Sequence, residues 1–406
     1  MKTTVAGLCV LSLLCACGGD GGAGWAGSVS DSAGVTIVSN PEEGLWGGET
    51  EWTMVEEYRI GGMAAETEAQ FGLVVGLDLD AAGNVYVADQ QASTIRVFSP
   101  EGDFLRSIGS PGQGPGEIGQ ALAAVFVVGD EVWAADVANQ RVSRYSLEGD
   151  LAGAMPVDFS RGIPIRWDEI AGDRILVQYR NMAALGVGED VGGDPLVFFG
   201  EEGGDTLAVL PEGLSFQMAG EVPAFRFFEA EPVWDASNDG RLTSAVNSGF
   251  RVEIRGADGA LERVVIRPFV PRPVEESDKQ VMMDGIRDLM IDQGAPPQAV
   301  ELIMGQASFA DHYPAFAQVL AGPSETLWMQ RLVTPQDMAE TGTFDLQNFG
   351  SDDWDVFDGE GRYLGVMSMP ERFTPLRVSE DAFWGVQRDE LDVPSVVRYR
   401  LSGLTD

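Results

Sequence analysis

Five times along this chain an acidic residue and a glycine sit between two short apolar runs, and where a sixth copy is due the chain ends. The copies run Phe98-Ser-Pro-Glu-Gly-Asp-Phe-Leu105, Tyr145-Ser-Leu-Glu-Gly-Asp-Leu151, Glu201-Glu-Gly-Gly-Asp-Thr-Leu207, Ala257-Asp-Gly-Ala-Leu261 and Phe357-Asp-Gly-Glu-Gly-Arg-Tyr-Leu364. Each reads as a hairpin, because glycine accepts the positive φ of a tight turn and alternating flanks suit half-buried strands. A recurring hairpin restricts the chain to repeat architectures.

The period follows from aligning the first two copies. Asn84-Val-Tyr-Val-Ala-Asp89 matches Glu131-Val-Trp-Ala-Ala-Asp136, an offset of 47 residues. A unit of this length with four short strands and no helix fits a propeller blade. The same order is expected at 74–109, 121–157, 163–210, 229–267 and 315–367, and a last unit at 373–401 supplies only three strands. An open ring would expose strand edges and an apolar blade face. The unpartnered strand-like stretch Glu51–Ile60 is therefore expected to complete the last blade, giving an all-β, six-bladed β-propeller closed by an N-terminal strand, with residues 35–406 forming one domain.

Gly83-Asn-Val-Tyr-Val-Ala-Asp89, Ile95-Arg-Val-Phe98 and Gly112-Gln-Gly-Pro-Gly-Glu117 together resemble an NHL repeat, and the whole chain is similar to the six-bladed β-propeller lipoproteins of bacterial envelopes. The likeness is good over 70–157, moderate over 313–368 and poor between. It implies a fold and a location more than an activity.

The first residues agree with that location. Lys2 precedes the apolar run Val5–Leu14, too short for a permanent membrane span and suited to a secretory signal. Leu14-Cys-Ala-Cys17 then resembles a lipobox, with the small Ala16 before the cysteine to be lipidated. The expected divisions are a signal peptide at 1–16, a lipid on Cys17 and a flexible Gly/Ser-rich tether at 17–34. Processing at Cys17 removes Cys9 and Cys15, leaving no pair for a disulfide. Gly18 follows the lipidation cysteine, which favours the outer membrane, facing periplasm or exterior.

Composition excludes other roles. With 26 basic against 64 acidic residues and a net charge of −38, the chain lacks the basic surface that nucleic acid requires. Its single histidine, His312, rules out a histidine-rich zinc or lyase site. Asp78–Asn84 resembles a calcium loop only superficially, lacking the terminal glutamate.

Function is expected where the repeat is broken. Links from first to second and from third to fourth strands are short, whereas 181–193, 211–224, 268–312 and 333–351 all fall on the opposite, loop-rich face. Long loops held by a rigid scaffold usually carry binding. The largest, 268–312, reads as helical: Ser277–Gln280 resembles a capping box, Val281, Met282, Ile286, Leu289 and Met290 recur at helical spacing, and Pro296-Pro297 can start a second helix. Its methionine-rich stripe is expected to pack on the propeller and cover part of the mouth. Near the starts of the inner strands lie Glu117, Arg161, Arg166, Arg226, His312, Tyr313 and Arg372, and the last six are the candidate ligand-binding residues. Forked arginines suit a carboxylate or phosphate. The reading is a monomeric, lipid-anchored, noncatalytic module that binds an envelope protein, a peptide or a small anionic ligand, without a cofactor. The alternative is a calcium-dependent hydrolase or lyase in the central channel, which would need several convergent Glu, Asp or Asn side chains there.

Overall fold

The computed structural model describes residues 24–47, 50, 52–170, 174–181, 192–200, 204–213, 215–219, 222–341 and 349–403. Six blades, each a sheet with a four-stranded antiparallel core, follow one another around a channel. The innermost strands are Val74–Leu79, Leu122–Val128, Ile163–Ile170, Pro232–Ala236, Val319–Ala321 and Phe373–Val378. Cores lie between successive blades, as where Tyr86, Ile95 and Val97 of blade 1 meet Val125, Val132 and Tyr145 of blade 2. Between blades 5 and 6 the buried Trp328, Trp354, Phe373 and Phe383 do the same. Each such side chain stabilises the ring by about 1.5–3 kcal/mol relative to exposure.

The recurring hairpins share one geometry. In blades 1, 2, 4 and 5, Gly102, Gly149, Gly259 and Gly361 take φ of 95°, 101°, 80° and 84°. Their amides bond back to the carbonyls of Ser99, Ser146, Gly256 and Asp358, each at 2.9 Å. A bulge follows in every case, the arrangement of a type I turn closed by a left-handed glycine. The third copy falls partly on 201–203, outside the described residues. The side chain fastening the turn is often its first residue: Ser99 Oγ accepts from the amides of Glu101 and Asp103, both at 3.2 Å, and Asp358 Oδ1 from that of Arg362 at 2.8 Å.

Ring closure follows the sequence reading. Thr53–Gly61 pairs antiparallel with Pro394–Ser402 and supplies the outer strand of blade 6. The chain before it does more than tether. Val35–Ser39 lies parallel to Leu261–Ile266 on the outer edge of blade 4, and Ser28–Ser32 pairs with it, so the segment expected as tether ends in a strand. The amides of Leu45 and Trp46 then bond to Tyr363 and Leu364 of blade 5, at 3.2 and 2.8 Å. Residues 28–47 and 52–61 thus form a belt along the outer edges of blades 4, 5 and 6, where open strand edges would otherwise invite foreign pairing.

The insertions on the loop-rich face join one another. Phe216–Ala219 and Val222–Phe227, from the link between blades 3 and 4, form a sheet with Ala307–Phe309 from the link between blades 4 and 5. That second link also carries helices α1, Glu276–Asp292, and α2, Pro297–Met304. The cap of α1 is Glu275, not Ser277, so the capping-box reading is corrected: Ser277 lies inside the first turn. Blade 5 adds an unforeseen helix α3, Pro335–Thr341, whose Gln336 amide donates to the buried Asp278 of α1 at 3.3 Å. The methionine stripe is only partly buried: Met282 and Met304 are covered, while Leu289 and Leu302 face solvent. Among the described residues no helix is long and apolar enough to cross a membrane.

Candidate functional site

The central channel encloses a cavity of about 650 Å³, lined by the inner strands of the six blades and by the turns Ser237–Arg241, Gly322–Thr326 and Val378–Glu380. Those turns join first to second strands. The cavity therefore reaches the short-loop end of the channel and runs back along the inner strands to their starts at Ala123, Gln318 and Thr374, and no residue of the insertions expected to surround the working mouth lines it.

One residue per blade forms a ring about the channel, and all but Asp78 line the cavity. Asp78, Phe126, Asp168, Asp235, Leu320 and Arg377 stand in register with Tyr86, Trp133, Leu176, Thr243, Trp328 and Trp384 of the neighbouring strands. Asp78 Oδ2 accepts from the Val127 amide of blade 2 at 2.7 Å, and Asp235 Oδ2 from the Ala321 amide of blade 5 at 2.7 Å. An inner-strand aspartate thus stitches a blade to its successor. In blade 6 the same position is Arg377, which pairs with Asp78 of the adjacent blade at 2.6 Å and with Glu169 of the opposite blade at 2.5 Å. One guanidinium thereby spans the channel.

A second cation completes the cluster. Arg166 pairs with Asp235 at 2.7 Å and Asp168 at 3.1 Å, and lies over the Trp234 ring with its guanidinium carbon 4.4 Å from the centroid. Burial pushes Asp235 up to about 8, with the Asp168 carboxylate adding to the rise and Arg166 opposing it. Burial also pushes Asp78 up to about 7, against the pull of Arg377. Asp168 is raised for the same reason. Arg377 is held above its ordinary range, since the burial that would lower it is outweighed by Asp78 and Glu169.

This arrangement neutralises itself. Asp78, Asp168, Glu169 and Asp235 are engaged by arginines or backbone amides, and among the described residues no three His, Cys, Asp or Glu side chains group as a cation would need.

Of the residues expected to bind ligand, only Arg166 lies in the cavity. Arg161 sits on a turn between blades 2 and 3, paired with Asp158 at 3.3 Å. Arg372 is exposed, with φ 55°, and donates to the Asp389 carbonyl at 2.8 Å. Glu117 accepts from the Gly114 amide at 2.7 Å. Arg226, His312 and Tyr313 belong to the joined insertions, where Arg226 pairs with Glu229 and the exposed His312 bridges to Pro273. The six do not form one arginine-lined mouth. Arg377, Asp78 and Glu169 lie inside inner strands, away from the strand starts that supplied the candidates; their signal in the sequence is a charged residue within an apolar strand, as in Leu77-Asp78-Leu79 and Leu376-Arg377-Val378.

A second concentration of chemistry lies where the insertions meet. Phe228 packs on Tyr313, Phe349 and Phe309 with ring centroids 4.7, 5.3 and 6.0 Å apart, and Phe309 on Phe227 at 5.4 Å. Phe225 stacks on Phe227 at 6.3 Å. Tyr313 is buried and the five phenylalanines are half-buried. Burial, with Asp278 beside it, raises the Tyr313 phenol above its ordinary pKa. Phe228 adopts φ 62°, a costly backbone for a bulky residue and one that concentrates at functional sites.

Comparison with known proteins places this geometry among propellers. Residues 66–165 match a family model described as a 6-bladed beta-propeller. No curated protein matches the chain. A Bacteroides fragilis protein named as exported is similar at 12% identity and a TM-score of 0.50, covering 90% of this chain and 100% of its own. A virginiamycin B lyase from Staphylococcus aureus shows 10% identity and a TM-score of 0.41, over 86% of this chain and 99% of its own. A calcium-binding protein, regucalcin, from Agrobacterium tumefaciens shows 9% identity and 0.43, over 86% and 96%. Identities this low speak to fold alone, and the fold of this chain is a six-bladed β-propeller.

Proposed function

We propose that this chain is a cell-envelope propeller, held at a membrane by a lipid on Cys17, that acts as a binding module through its loop-rich face. The observation that carries the reading is the half-buried aromatic cluster of Phe225, Phe227, Phe228, Phe309, Tyr313 and Phe349, assembled from three separate links that no blade requires. Aromatic rings left partly open to water at a built junction are favourable contact surface. The channel supports catalysis less well, because its acids and arginines already satisfy one another.

Two experiments test the proposal. Palmitate should label the wild-type chain and not Cys17→Ala. Soluble chain should bind washed envelope fragments, and the double variant Phe227→Gln/Phe309→Gln, with an unchanged far-UV spectrum, should lose that binding at least tenfold. Undiminished binding would remove the loop-rich face from consideration.

A further inference from the structure

We infer that the partner of the loop-rich face is the lipid surface to which the chain is tethered: the propeller lies with this face against the bilayer, and its exposed apolar side chains enter the headgroup boundary. The inference rests on the lipid-anchor reading above and names the occupant of that face.

The point where the chain leaves the fold comes first. Trp25 Nε1 donates to Asn40 Oδ1 at 3.2 Å. Buried Asn40 is itself fixed at the seam of blades 4 and 5: its amide bonds to the Ile266 carbonyl at 2.8 Å, its Nδ2 donates to the Gly361 carbonyl at 2.9 Å, and its Oδ1 accepts from the Tyr363 amide at 2.6 Å. Ile266 ends blade 4, and the link carrying α1 and α2 departs two residues later. Eight residue steps separate Cys17 from Trp25, which span at most about 28 Å when fully extended. One blade of four strands is about 15 Å wide. The exit thus sits at the rim of the ring, between the root of the insertion and the blade 5 hairpin of the other face, and a tether of this length can bring either face to the membrane.

Exposure then selects the face. Among the described residues, six large apolar side chains are more than half exposed: Val270 at 86%, Leu391 at 68%, Met63 at 60%, Val29 at 59%, Ile291 at 55% and Leu302 at 52%. Five belong to links on the loop-rich side: Met63 between blades 6 and 1, Leu391 between the second and third strands of blade 6, and Val270, Ile291 and Leu302 between blades 4 and 5. The sixth, Val29, stands on the belt beside the exit. The aromatic cluster opens on the same side. The opposite face presents acidic hairpin tips such as Glu101, Glu148 and Glu360, which an anionic leaflet would repel. The insertion is also net acidic, so the contact is apolar, and the high local concentration that a short tether imposes strengthens it. It should prefer zwitterionic lipid and resist salt.

The test uses full-length lipidated protein in phosphatidylcholine vesicles, with mass spectrometry reporting the lipid on Cys17. Single variants Met63→Cys, Leu302→Cys and Glu148→Cys carry an environment-sensitive dye, read with and without brominated lipid. Dyes at positions 63 and 302 should be quenched at least threefold more than at 148, equally at 50 and 500 mM salt. Lipidated protein that floats with the vesicles while all three dyes stay in water overturns the inference and leaves the anchor standing. Absence of the lipid overturns both. Protection of positions 63 and 302 that appears only when envelope protein is added overturns the lipid surface in favour of a protein partner. The surface variant Met63→Glu/Leu302→Glu, with an unchanged melting temperature, should abolish the quenching at an added Val270→Cys.

Discussion

Arg377 shows how much one side chain decides in this ring. It is an arginine where other blades place aspartate, phenylalanine or leucine, and it joins Asp78 beside it to Glu169 across the channel. Arg377→Met would leave two buried carboxylates without their cation, a change that typically costs about 3–5 kcal/mol. Chemical denaturation of the soluble chain should show that loss, and Asp78→Asn/Arg377→Met should recover part of it. An Arg377→Met protein as stable as wild type would make the pair incidental. The hairpin glycines are decisive in another way. Gly149 has φ 101°, and an added Cβ would lie 3.3 Å from Ile108 Cγ1. Gly149→Ala should destabilise by about 1–2 kcal/mol, the cost of forcing an L-residue into left-handed backbone.

At the scale of elements, the strand Thr53–Gly61 carries more consequence than its length suggests. It is remote in sequence from Pro394–Ser402, yet it supplies the outer edge of blade 6 and lays Ile60 among Phe71, Val74, Trp384 and Val396. Arg400 pairs with Glu57 at 2.5 Å across the same closure. Ile60→Ala should cost about 2–5 kcal/mol through the cavity it leaves. Because the closure is shared by both chain ends, native-state hydrogen exchange should show the loss in blades 1 and 6 together; a loss confined to residues 53–61 would mean the strand is an appendage. This closure was legible in the sequence, since a three-stranded last unit and an unpartnered early strand each require the other. The belt over blades 4 and 5 was not. Val35–Ser39 pairs in parallel with the remote Leu261–Ile266, and Ser28–Ser32 is short, polar and exposed, so no hairpin or repeat pattern announced the belt.

At the scale of the whole molecule, the buried acids make stability depend on pH. Asp235 and Asp78 are raised to about 8 and about 7 in the folded chain, from an ordinary value of 3.8. Between these limits the folded state holds protons that the unfolded state has released, so stability falls as pH rises from about 4 to 8, by about 1.4 kcal/mol per pH unit for each such proton. Melting temperature measured across that range should decline, and Asp235→Asn should flatten the decline while raising stability at pH 8. A melting temperature that rises steadily towards pH 8 in wild type would place the native protons elsewhere.

The chain by itself determined the blades: hairpin glycines, strand alternation and the incomplete last unit are local signals, written within a few residues and read by the same rules in each repeat. It also marked the links that break the repeat. Only the tertiary structure decided what those departures mean, because Arg377 and Glu169 lie 208 residues apart, and Phe228, Tyr313 and Phe349 come from three links that no local pattern connects. A ring brings distant residues together by closing. The residues that meet in its channel, and on the face that carries its apolar tips, are therefore set by geometry that no stretch of sequence contains.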